Sequence, residues 1–276
     1  MVAVREKRSS ATGPSSAADA RARRFIRRAI ILVVLILAWG LYVQFSGISP
    51  LLVPSPADVA SSLWRNWSNG VLDASTVETL KLLGAGLGIG IAAGIGLSVL
   101  ATFSQFGEDV RALLTAMVNP LPSIAILPVA LIWFGLTPFT IIIIVANAVV
   151  WPFSINVSAG FRGVNPTLRA VGDNIGIRRL DMATDILIPS SLPYIIAGIE
   201  TAWSVGWRTV VAAELVFGSA GGSGGLGYFI YNARFFLDVP GMFAGLVTIA
   251  IIGIIVDLLI KWAKRGTVVR WGMAVA

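Results

Sequence analysis

The side chains able to do chemistry fall in two places. The first is a polar stretch, Gly160 to Pro193, which reads GFRGVNPTLRAVGDNIGIRRLDMATDILIPSSLP and carries Arg162, Arg169, Asp173, Arg178, Arg179, Asp181 and Asp185. So many charges exclude hydrocarbon, where each costs ~2.5 kcal/mol or more. The punctuation is helical. Asn165-Pro166 is a start signal, Gly176 a break and Pro189 a stop. Two short helices about a glycine hinge at a membrane face suit a docking element for a partner protein; a short solvated loop can carry the same pattern. The second place is the apolar run Ile195 to Phe217, which holds Glu200, Arg208 and Glu214. At ~100° per residue, Glu200 and Glu214 fall near one helix face and Arg208 is displaced from both. A pair within the helix is therefore poorly aligned. The two readings are a structural ion pair with another helix, or contact between Arg208 and an anionic solute.

This is chemistry of recognition. The chain has no cysteine and no histidine, so it lacks thiol chemistry, the commonest metal ligand and any Ser-His-Asp triad. There is no G-x-x-x-x-G-K-[ST] phosphate loop. The segment Gly222-Ser223-Gly224-Gly225-Leu226-Gly227 formally matches G-x-G-x-x-G, but no soluble strand precedes it and no βαβ unit surrounds it. A re-entrant or flexible loop is the better reading. If energy is spent, another subunit supplies the nucleotide chemistry.

The elements that must position these residues are membrane spans. Of 276 residues, 56% are hydrophobic and 13% charged, against about 25% charged in soluble domains; mean hydropathy is +0.84. The net charge of +7 gathers at the ends of apolar segments, which fits topology and not nucleic acid. Residues 1–28 form a basic, low-complexity tail expected to be disordered, ending in Arg21, Arg23, Arg24, Arg27 and Arg28. The arginines resemble a twin-arginine export signal, but no small-residue cleavage site follows, and the apolar run beyond is long enough to span. They read as the cytoplasmic flank of a first span, about Ala29 to Phe45. An interfacial helix with Trp64 and Trp67 on one face follows outside.

The second span, about Leu80 to Phe103, carries overlapping G-x-x-x-G pairs at Gly84/Gly88 and Gly86/Gly90/Gly94, a stripe that lets another helix approach closely. The apolar region Leu113 to Val157 divides at Gly135-Leu136-Thr137-Pro138 into two spans. Its first half holds Pro120, Pro122 and Pro128, so it is kinked or partly unwound. Irregular backbone at membrane depth is tolerated only against protein or a water-filled cavity. That half, with Trp133 near its end, is a pathway wall or a simple proline kink. The fifth span is Ile195 to Phe217 and the sixth about Met242 to Ile260, flanked by Lys261, Lys264, Arg265 and Arg270. The expectation is an all-α membrane protein of six spans, both termini cytoplasmic, with residues 29–276 as one membrane domain.

With this topology in place, the polar stretch resembles the cytoplasmic loop of inner-membrane permeases from binding-protein-dependent ABC importers, whose pattern is E-A-A, a spaced glycine, then I-x-L-P. Gly176 matches the glycine and Ile186-Leu187-Ile188-Pro189 the end, while Ala170-Val171-Gly172 stands in place of Glu-Ala-Ala. Pro120 to Pro128 with Trp133-Phe134-Gly135, then Val211-Ala212-Ala213-Glu214, Gly224 to Tyr228 and Arg270-Trp271 are similar to the nitrate, sulfonate, taurine and bicarbonate branch. The resemblance covers roughly residues 25–272.

It implies a type I ABC importer permease fold in a bacterial inner membrane. Two copies pair, and each docks a cytoplasmic ATPase subunit that binds ATP and Mg; this chain itself holds no cofactor. A periplasmic or lipid-anchored solute-binding protein delivers a small anion, such as a sulfonate, nitrate, bicarbonate or carboxylate. The coupling residues it implies are Gly172, Asp173, Gly176, Arg178, Arg179, Leu180, Asp181, Met182, Ile186 and Pro189, with Leu180, Met182 and Ile186 entering a groove on the ATPase. The pathway candidates are Pro122, Pro128, Trp133, Arg208 and Glu214. The contrasting reading is a self-sufficient secondary transporter or channel, against which the two halves of the chain show no obvious internal repeat. A membrane enzyme is disfavoured by the missing catalytic constellations.

Overall fold

Apolar length decides which helices can cross a bilayer, and about 20 residues are needed. The computed structural model describes residues 14–49, 51–217 and 224–264. Among the described residues all regular structure is helical. Four helices are long and apolar enough to cross alone, and two bent pairs bring the number of spans to six if each pair is one span.

The chain divides into two units, Met1–Ala60 and Ser61–Ala276. The first holds α1 (Pro14–Phe45) and the start of α2 (Pro56–Ser68). The apolar run of α1, Ala22–Phe45, is long enough to span. The helix starts at Pro14, inside the stretch that composition reads as a tail. Alanine and arginine are strong helix formers, and here they extend the span's own helix. Residues 1–13 lie outside the described residues. α2 opens on a capping box: the Asp58 N–H donates to Ser55 Oγ and the Ser55 N–H to Asp58 Oδ2, each at 3.2 Å, with Pro56 preset at the first helical position.

The second unit is built on α3 (Val71–Phe103), α6 (Pro138–Arg162) and α10 (Leu192–Phe217). α6 is the central helix, packed by both others, and its Val145, Val149, Phe153, Val157 and Phe161 are fully buried. A Cβ on Gly86, Gly90 or Gly94 would come within 2.5–2.7 Å of Val145, Val149 or Phe153 side chains. The glycine stripe thus sets how closely α3 lies on α6. Ser98 adds a polar stitch, accepting from Ser158 Oγ at 3.1 Å and donating to Gly94 O at 2.8 Å.

Between α3 and α6 the chain does not cross straight. α4 (Gln105–Val118) ends at Asn119, a 3₁₀ turn spans Ser123–Ile126, and α5 (Leu127–Phe134) leaves at 90° to α4. Pro120 and Pro122 sit in the break, whereas Pro128 opens α5 in its first turn, where its missing N–H costs nothing.

After α6, the polar stretch forms α7 (Pro166–Asn174), then one helical run made of α8 (Arg179–Asp181), a π-turn (Met182–Leu187) and α9 (Ile188–Ser190). Pro189 is not the stop expected of it. It lies in the first turn of α9, and the chain turns at Ser191, where the run meets α10 at 77°. A flexible or re-entrant loop is the expectation after the fifth span. Residues 218–223 lie outside the described residues, but α11 (Leu226–Phe235) follows at once, and α12 (Val239–Lys264) is the last span. Arg265, Arg270 and Trp271 lie outside the described residues.

Candidate functional site

Two of the three ionisable groups of α10 meet opposite fates. Glu214 is 2% exposed. Thr79 Oγ1 of α3 lies 2.9 Å from both of its oxygens and donates to them, while Oε2 accepts from the Gly227 N–H at 2.9 Å. Thr79 Oγ1 in turn accepts from the Leu226 N–H at 2.8 Å. The first two N–H groups of α11 are therefore capped from α3 and α10, with a carboxyl at the positive end of the helix. A Cβ on Gly225 would collide with Glu214 Oε1, and one on Gly227 would lie 2.5 Å from Val211 O. This is the physical meaning of the glycine-rich segment: its backbone must come against a buried carboxyl.

Arg208 is exposed in the single chain and turns back on its own helix, donating through Nε to Ser204 O at 2.9 Å and through Nη2 to Ser204 Oγ at 3.4 Å. Among the described residues no carboxylate lies within 4.0 Å of it. Instead it lines a hollow of ≈ 500 Å³, open on one side, with Asn119, Pro122 and Ser123 of the broken span, Trp151 and Pro152 of α6, and Thr209. Trp151 is held there by its Nε1–H to Asn147 Oδ1 at 3.2 Å. Pro152 has no N–H to give Ala148 O, another wall residue, so α6 also presents a carbonyl without its helical donor. Glu200 is paired between helices: Lys264 Nζ of α12 lies 3.0 Å from its Oε2.

The pathway candidates thus separate. Pro122 and Arg208 share one hollow. Pro128 and Trp133 lie further along α5, with Trp133 71% exposed. Glu214 belongs to the capping network under α11. The sequence missed Asn119, Trp151 and Thr209, which no motif distinguishes from ordinary span residues.

The polar stretch folds on itself. Gly176 adopts φ +68°, a left-handed turn that favours glycine, and reverses the chain between α7 and α8. A Cβ on Gly172 would lie 2.5 Å from Met182 Cε and 3.2 Å from Ile186 Cδ1. Gly172 therefore seats the second arm on the first. Met182 is 4% exposed, so Met182 and Ile186 face into this chain, unlike the outward position expected of them. Leu180 is 72% exposed, and Leu168 and Val171 on α7 and Ile175 just past its end are exposed too. Arg178 pairs with Asp181 at 2.8 Å beside Leu180. Arg179 begins α8 and is exposed, and Asp173 lies in the last turn of α7.

The family model of the binding-protein-dependent transport system inner membrane component matches residues 86–269, more than half of the chain. The chain belongs to this family. It is an ABC importer permease subunit of the inner membrane, non-catalytic by family. The permease is 28% identical over 251 residues to the taurine transport system permease protein TauC of Escherichia coli (85% of this chain, 86% of the relative). It is 27% identical over 244 residues to a Bacillus subtilis protein named as the aliphatic sulfonates transport permease SsuC (88% of this chain, 86% of the relative). A solved bacterial ABC transporter that imports the acidic polysaccharide alginate aligns with TM-score 0.58 at 17% identity, covering 90% of the permease and 99% of that chain. The fold is that of type I importer permeases.

Proposed function

We propose that the permease carries a small organic anion of the sulfonate type through the hollow at Arg208, driven by separate ATPase subunits docked on α7 to α9. The observation that carries the solute class is the Arg208 guanidinium, which has no acidic partner among the described residues and borders a hollow at a broken span. A cation at membrane depth persists where a cavity or a counter-ion meets it. A guanidinium fork matches sulfonate or carboxylate oxygens, and Asn119, Ser123 and Thr209 add neutral hydrogen-bonding groups. Trp151 offers an apolar wall to an organic body. The relatives named for taurine and aliphatic sulfonates support the same class.

Coupling follows from the arms of the polar stretch. Leu168, Val171, Ile175 and Leu180 are apolar yet exposed on an otherwise polar element, the pattern of a helix made to enter a partner's groove. Asp173, Arg178, Arg179 and Asp181 supply charge around it. Gly172 and Gly176 hold the two arms as one lever, and α9 with Pro189 passes its movement into α10. Each ATPase would hold ATP and Mg. A solute-binding protein would load the opposite face of a permease pair, since the hollow of one chain is open on one side.

The test is the reconstituted assembly of permease, ATPase and binding protein in liposomes. Taurine-type anions should enter only with ATP, and Arg208→Ala should lower entry tenfold or more while ATPase recovery with the tagged permease is unchanged. Transport of solute by the lone chain without ATP would overturn the reading.

A further inference from the structure

A second basic pocket lies where α3, α4, α6 and α7 meet at one end of the bundle. It measures ≈ 160 Å³ and is lined by Ala101, Thr102, Glu108, Ser158, Arg162 and Arg169. It shares no residue with the hollow at Arg208, and neither solute transport nor ATPase docking accounts for it.

Its charges do not balance. Glu108 is held by Arg111 through two bonds, Nε to Oε2 at 2.8 Å and Nη2 to Oε1 at 2.6 Å. Arg162 reaches the same Oε1 only at 3.4 Å, so it shares a carboxylate already committed. Arg169 donates Nη2 to the Phe161 carbonyl, and its Nε–H is buried without an acceptor. Three guanidinium charges face one carboxylate, and the negative C-terminal ends of α3 and α6 are offset by the positive N-terminal ends of α4 and α7. About two positive charges are left over. A buried guanidinium donor with nothing to donate to is unusual in a folded chain and marks a missing acceptor. Thr102 and Ser158 are already engaged, donating to Ser98 O at 2.8 Å and Ser98 Oγ at 3.1 Å, so they leave the donors to the arginines. The pocket has ample room for a tetrahedral oxyanion. Arginine forks suit phosphate oxygens, and basic pockets between helices at a membrane face take anionic headgroups.

We propose that this pocket binds a phosphate group, clamped by Arg162 and Arg169. The phosphate is borne by an anionic phospholipid headgroup or is free in solution. Because Arg169 sits on α7 and Arg162 at the last turn of α6, the bound group ties the first arm of the polar stretch to the membrane helices.

The experiment uses the full chain, purified and delipidated in neutral detergent. Thermal unfolding midpoints are read at fixed ionic strength with sodium phosphate against chloride, and in mixed micelles with phosphatidylglycerol against phosphatidylcholine. Native mass spectrometry counts retained phosphatidylglycerol. The wild type should gain several degrees from phosphatidylglycerol, and from inorganic phosphate as well if the free ion suffices. Response in the lipid arm alone assigns the headgroup; response in both assigns the phosphate group itself. Arg162→Gln should bind about tenfold more weakly. Lys81→Gln, which alters an exposed cation elsewhere, should behave as wild type. Arg169→Gln also removes the donor to Phe161 O, so the deciding variant is Arg162→Gln, with Arg162→Lys expected between it and wild type. No stabilisation over chloride and phosphatidylcholine, or an Arg162→Gln response equal to wild type, overturns the proposal.

Discussion

Glu214 and Arg208 lie less than two turns apart on one helix, yet the molecule treats them oppositely. Glu214 is wrapped by donors from α3 and α11 and cannot be reached. Arg208 is left beside a hollow with only its own helix for company. A buried charge or polar group persists because the structure satisfies it, and an open one because something else must. The difference separates a residue that holds the fold from one that, on the function proposed above, would meet the solute.

The comparison breaks most visibly at Glu214. Glu214→Ala strands the Thr79 hydroxyl and the Gly227 N–H in the interior, at roughly 3 kcal/mol or more in total. We expect loss of monodisperse protein or a large fall in the thermal unfolding midpoint in detergent. Gly225→Ala should follow it, because its new Cβ has no room beside the carboxyl. A Glu214→Ala permease that unfolds at the wild-type temperature but no longer transports would move Glu214 to the cargo side.

Arg208→Ala should do the reverse. A charge-assisted hydrogen bond to an anion is worth about 1.5–3 kcal/mol, so uptake of a sulfonate should drop tenfold or more. Stability should stay within about 0.5 kcal/mol of wild type, as at other exposed sites. Arg208→Lys keeps the charge and loses the fork, and should recover part of the uptake. Uptake assays in liposomes alongside unfolding midpoints separate the two effects.

How far the sequence carried these assignments depends on the length scale of each feature. The spans and the helix–glycine–helix layout were legible because they rest on local periodicity and on Gly176. The opposed roles of Glu214 and Arg208 were not, because Thr79 and the α11 backbone come from distant parts of the chain. Helix-face geometry ruled against a pair within α10, but it could not name Lys264, far along the chain, as the partner of Glu200. The glycine-rich segment read only as a flexible or re-entrant loop because the carboxyl it packs against is invisible in a local window. Pro189 misled for a related reason: proline ends an α-helix in its interior, but here the run changes from π to α geometry just before it, Pro189 falls in the first turn of α9, and the chain turns only at Ser191.

The same contrast recurs inside the polar stretch, where Met182 is tucked under Gly172 and Leu180 is offered outward. Leu180→Asp puts a charge where an apolar side chain would enter the ATPase. Recovery of ATPase with tagged permease should weaken about tenfold, in line with the loss of one well-packed interface residue, and the permease's own melting should not change. Met182→Ala should lower the midpoint first and ATPase recovery only as a consequence. Equal effects of the two on recovery, without destabilisation, would place Met182 outward after all.

Glu200 lies between the extremes and should give the smallest effect. Its pair with Lys264 spans two helices at 3.0 Å, but the two side chains are 28% and 37% exposed. Screening and side-chain entropy limit such a pair to ~1 kcal/mol or less. Glu200→Gln should therefore lower the midpoint slightly, leave sulfonate uptake unchanged, and lose its effect in high salt, where the wild-type pair is already screened. If Glu200→Gln instead depresses uptake as much as Arg208→Ala, the pair would be moving with the transport cycle, and exposure alone would not tell a structural charge on α10 from a working one.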